Sequence, residues 1–62
     1  MLKLLVVDER RIIMGKIYAR LIHKQVYEGI DTGYNSINDV PAKYQPATRV
    51  AWDQLYGTPI PE

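Results

Sequence analysis

The chain has 62 residues, with eight Lys and Arg against seven Asp and Glu, one His and no Cys. This length admits one small domain that buries only about 60% of its unfolded surface, and the missing cysteines exclude disulfides and thiolate metal sites. The formal charge of +1 gives no general attraction to nucleic acid or anionic lipid, and no apolar run approaches the roughly 18 residues that span a bilayer.

Residues 1–7 are apolar apart from Lys3 and read as a short extended or strand-like segment, with Val6 and Val7 favouring strand. An orphan strand has no partner later in this chain, so its backbone would pair with another molecule. The run is too short for a signal-peptide core, and Asp8 and Glu9 follow where small cleavage-site residues would stand. A cytoplasmic protein, or one assembled into a particle, is expected.

Residues 8–28 carry the clearest helical pattern. Asp8 is placed to cap the first turn, and Glu9 complements the helix dipole there. Ile13, Ile17, Leu21 and Val26 follow helical steps, with Met14, Tyr18 and Ile22 on the same broad face. A strand reading of Lys16–His23 also shows some alternation. Gly15 costs roughly 1 kcal/mol relative to alanine inside a helix, so it marks either a break or a close approach of another backbone. Gly29 stops the helix.

Residues 29–45 form a turn-rich linker. Ser36 and Asp39 have capping-box spacing, Asp39-Val40-Pro41 reads as a cap with proline in a first turn, and one turn is expected at 40–44. A second helix follows at 46–56, since Pro46 is tolerated only at a helix start. Its apolar stripe is Ala47, Val50, Ala51 and Leu55, with Trp52 at the border. Residues 57–62 form a tail whose two prolines favour an extended, polyproline-like strip. The predicted fold is mainly α, a small helical hairpin with a short N-terminal extended segment.

Gly15-Lys16-Ile17-Tyr18-Ala19-Arg20-Leu21-Ile22, then Ser36-Ile37-Asn38-Asp39-Val40-Pro41-Ala42-Lys43-Tyr44 and Val50, resemble the short phage and prophage tail-module proteins of the XkdX type. Those share a Tyr-Ala-x-Leu-Ile pattern in a first helix, a turn, and an Ile-x-Asp-Val-Pro lead-in to a second. The resemblance covers residues 15–52; residues 1–13 have no counterpart in it, and the 24–35 linker is longer than the pattern. It implies a structural protein encoded among tail, baseplate and fibre components, free in the host cytoplasm before assembly and in a virion or tail-like particle after. It implies no catalytic residues. Leu4-Leu5-Val6-Val7-Asp8-Glu9 also resembles the opening of a receiver domain, but the chain is too short for the parallel strands that fold requires.

The residues offer no chemistry to set against this. His23 sits near a helix end, where a cation suits the dipole. Asp8, Glu9 and Asp39 read as caps, and Asp31-Thr32-Gly33 as a turn. No phosphate loop or metal spacing is present, so no catalytic residue, cofactor or metal ligand is expected. Tyr18, Tyr27, Tyr34, Tyr44, Tyr56 and Trp52 read as interface anchors, the alternative being that they close a tiny core. The expected partner-binding residues are Ile17, Tyr18, Leu21 and Ile22 from the first helix and Val50, Trp52 and Leu55 from the second. The partner is a protein or a second copy. The rival is a small nucleic-acid-binding or regulatory module using Arg10, Arg11, Lys16, Arg20 and Lys24 as a basic stripe.

Overall fold

The computed structural model describes residues 9–62; the extended segment expected at 1–7 and the Asp8 cap lie outside the described residues. Two α-helices, α1 (Glu9–Tyr27) and α2 (Gln45–Leu55), form a hairpin, with two single 3-10 turns between them at Ile37–Asp39 and Ala42–Tyr44. The described part is mainly α, as the sequence predicts.

The face that α1 buries is not the one its large aliphatics suggest. Gly15, Ala19 and Ile22 are buried, a spacing of four and three that follows the helical period. Ile13 and Ile17 are 56% and 42% exposed. The reason lies at Gly15, where a Cβ atom would stand 2.6 Å from the carbonyl carbon and oxygen of Ala47 and 2.9 Å from its Cβ. The two helices touch through small residues, which bring the backbones together and leave the bulky side chains outside. Gly15 is thus a close approach and not a break.

Tyr44 packs on Tyr18, and Trp52 and Tyr56 pack on His23. Ala47, Val50 and Gln54 instead share a groove with Arg11, Ile12 and Lys16.

The connector is tied down. After Tyr27 the chain turns at Gly29, whose φ of 72° suits a residue without Cβ, and the Glu28 and Ile30 amides both donate to the Lys24 carbonyl. The Gln25 side-chain oxygen accepts from the Thr32 and Gly33 amides at 2.8 and 3.0 Å. The Thr32 hydroxyl donates to the Leu21 carbonyl at 2.8 Å. Asp31-Thr32-Gly33 is therefore a turn moored to α1. Ser36 and Asp39 form the expected capping box: Ser36 Oγ accepts from the Asn38 amide, and Asp39 Oδ2 accepts from the Asn35 and Ser36 amides. The 3-10 turn they launch was not among the predicted elements; it drives Ile37 and Val40 into the core. Pro46 sits in the first turn of α2, where its missing N–H costs nothing.

Ala19, Ile22, Ile37, Val40, Ala51 and Trp52 form the core, with Tyr18, Tyr34, Tyr44, Tyr56 and Ile60 packed against it. Thr48 is fully buried, and its hydroxyl donates to the Tyr44 carbonyl at 2.7 Å, so its polar group is satisfied within the helix.

The last residues do not project as a free polyproline strip. The Trp52 indole N–H donates to the Thr58 carbonyl at 2.8 Å, the Ile37 amide donates to the Pro61 carbonyl at 2.9 Å, and Ile60 packs on the core. An exposed Arg49–Glu62 pair at 3.4 Å adds little. Deleting residues 58–62 is expected to cost about 2–3 kcal/mol in urea titrations, from two hydrogen bonds and the partial burial of Ile60. A truncated chain as stable as the full one would show that the strap is ornamental.

Candidate interaction surface

The seven residues expected to bind a partner do not share a face. Ile22 and Trp52 are 0% and 1% exposed; they are core residues, held there because the strap and the connector close over them. Tyr18 is half-buried between Tyr34 and Tyr44, with ring centroids at 5.4 and 5.8 Å, and Leu21 is also half-buried. Ile17, Val50 and Leu55 remain on the surface at 42%, 58% and 41%. Ile17 is two helical positions past Gly15, so it points away from α2.

The aromatic residues reverse the interface reading for most of their number. His23 stacks on Tyr56 at a centroid distance of 4.0 Å and an interplanar angle of 11°. Trp52 meets Tyr56 at 4.7 Å. His23 Nδ1 lies 3.0 Å from the Glu28 carboxylate. This cluster and the Tyr18–Tyr34–Tyr44 cluster seal the two sides of the core, and only Tyr27, at 57%, stays largely exposed. In a domain this small, rings supply the area that two short helices lack.

Burial raises the Tyr56 phenol above its ordinary pKa, Arg20 opposing and Glu28 adding to the shift. A raised pKa in the fold means that the neutral phenol is preferred there. Its contribution is complete below the unfolded pKa of about 10 and is lost as pH rises through the folded value. The thermal midpoint is expected to fall above about pH 10, and Tyr56→Phe to flatten that fall relative to wild type. Parallel pH profiles would refute the assignment.

What the surface does offer is aliphatic. Ile12, Ile13, Ile17, Val26, Ile30, Val50 and Leu55 are each at least 41% exposed. The concave part is a groove of about 280 Å³ where α1 and α2 cross, lined by Arg11, Ile12, Lys16, Ala47, Val50, Ala51 and Gln54. Its apolar lining is Ile12, Ala47, Val50 and Ala51, and its charged residues, Arg11 and Lys16, both belong to α1. The sequence pattern places Val50 in an interface, but Ala47 and Ala51 in the helix stripe and Arg11 and Lys16 in a basic stripe suited to nucleic acid. The signal it lacked was the small-residue contact that swings these side chains together.

Among the described residues no helix is long and apolar enough to cross a membrane, and no cluster of His, Asp and Glu is arranged to hold a metal ion. No family model, curated protein or solved structure matches the chain.

Proposed function

We propose that this chain is a small non-enzymatic structural protein that docks on a larger assembly, a phage or prophage tail-like particle. The observation that carries the reading is the set of exposed aliphatic side chains, with Ile12 and Val50 lining the α1–α2 groove. Among the described residues the connector is moored to α1, the C-terminal strap holds Trp52, and no buried side-chain polar atom lacks a partner. Exposed aliphatic residues, of which Ile12 and Val50 line a concave site, mark a contact surface. The resemblance of residues 15–52 to XkdX-type proteins supplies the kind of assembly.

The test is to induce particle formation in cells carrying the gene and to look for peptides of this chain by mass spectrometry in purified particles. Its presence in sedimenting particles at fixed stoichiometry supports the reading. Its confinement to the soluble fraction, as a monomer with a concentration-independent melting transition, overturns it.

A further inference from the structure

The groove also carries a charge pattern. From Arg10 to Tyr27 the sequence holds five Lys and Arg and no Asp or Glu, although the chain as a whole is nearly neutral. Of the acids nearest the helix among the described residues, Glu9 sits in its first turn and Glu28 pairs with His23. Arg11 and Lys16 stand exposed on the groove rim, and the facing residue on α2 is the uncharged Gln54. Among the described residues neither cation pairs with a carboxylate; the ion pairs there are His23–Glu28 and Arg49–Glu62.

We infer that the groove receives an acidic, aliphatic-anchored segment of a partner protein, its apolar side chain on Ile12, Ala47, Val50 and Ala51 and its carboxylates on Arg11 and Lys16. This rests on the protein-docking reading above and names the chemistry of the partner. Opposite charge at the rim of an apolar contact steers encounter and fixes register, while the desolvated centre supplies affinity. The volume suits one or two aliphatic side chains, so the groove holds a peptide-like segment and not a flat domain face. A single-stranded nucleic acid is the other anionic class, but it asks for aromatic faces beside the cations. Here Tyr18, Tyr34, Tyr44 and Trp52 pack in or against the core, and the groove floor is aliphatic.

The full chain is titrated with two labelled synthetic helical peptides that share one leucine pattern, with Glu at every polar position in one and Lys in the other. Fluorescence anisotropy gives affinity, and methyl resonances of Ile12 and Val50 report location. The Glu peptide is expected to bind about tenfold or more tighter than the Lys peptide, to shift both methyl signals, and to lose that preference in the Arg11→Glu, Lys16→Glu double variant. Both substitutions are at exposed positions, and circular dichroism checks that the variant stays folded. Equal affinities, a preference for the Lys peptide, no binding, or shifts confined to other residues would overturn the inference. So would an oligo-dT strand that binds the groove tighter than the Glu peptide does. Charge-blind peptide binding would defeat this inference and leave the docking reading intact. Absence of the chain from particles would defeat the tail-assembly reading without touching the peptide preference.

Discussion

Trp52→Ala should abolish cooperative unfolding. The side chain is 1% exposed and is the largest fully buried one among the described residues, packing on His23 and Tyr27 of α1 and on Tyr56 one turn along. Truncating a buried Trp typically costs about 3–5 kcal/mol, whereas a chain of this length has a total stability of roughly 3–9 kcal/mol. The strap also loses its anchor, because the indole N–H holds the Thr58 carbonyl. A urea titration followed by far-ultraviolet circular dichroism should show a broad, early loss of helix. Trp52→Phe separates the two contributions. It keeps most of the ring packing and removes the donor, and Thr58 is exposed, so water can serve its carbonyl. That variant should stay cooperative and lose about 1–2 kcal/mol. Equal losses in the two variants would mean that the hydrogen bond, and not the buried ring, holds the hairpin together.

The features that were legible in the sequence are those whose cause is local. Ser36 and Asp39 are three residues apart, and the backbone geometry that joins them is the same in any protein, so the capping box could be read directly. Gly29 and Pro46 fixed helix ends for the same reason. Gln25 and Thr32 were silent, because a glutamine side chain in a helix has no preferred distant acceptor or donor until the connector has been placed. The buried face of α1 was misjudged because hydrophobic periodicity weights Ile13 and Ile17 by size. The contact was instead selected by Gly15 and Ala19, which are small enough to admit another helix. The aromatic residues were ambiguous in principle: a tyrosine suits a core edge and an interface equally, and only the strap and connector decide which side of it meets water.

The proposed interaction surface follows from that same choice of face. Packing α1 through its small residues puts Ile12, Ile13 and Ile17 outside, where no contact with the described part of the chain covers them fully. Had the large aliphatics faced α2, the cations at 11 and 16 would have been set in a different position relative to Val50. The close helix crossing and the composition of the groove are thus one structural fact, and a change at the crossing should be felt at the groove.

Gly15 is where this can be measured. The atoms that a new Cβ would meet first are the carbonyl carbon and oxygen of Ala47, at 2.6 Å, and backbone atoms cannot rotate aside as a flexible side chain can. Gly15→Ala improves helix propensity by about 1 kcal/mol but overpacks the crossing, at a typical cost of about 1–3 kcal/mol. The net expectation is a loss of up to about 2 kcal/mol, the reverse of what a helical Gly→Ala change gives at an open position. Gly15→Leu should destabilise more strongly, because the added atoms have no room without separating α1 from α2. Ala47→Gly should rescue Gly15→Ala only partly: it removes the Cβ at 2.9 Å and leaves both backbone atoms at 2.6 Å. Ile13→Ala, at an exposed position on the same helix, should change stability by less than about 0.5 kcal/mol. If Gly15→Ala proved as stable as wild type or more so in urea titrations, the helices would not be in close contact there. The groove geometry built on that contact would then fall with it.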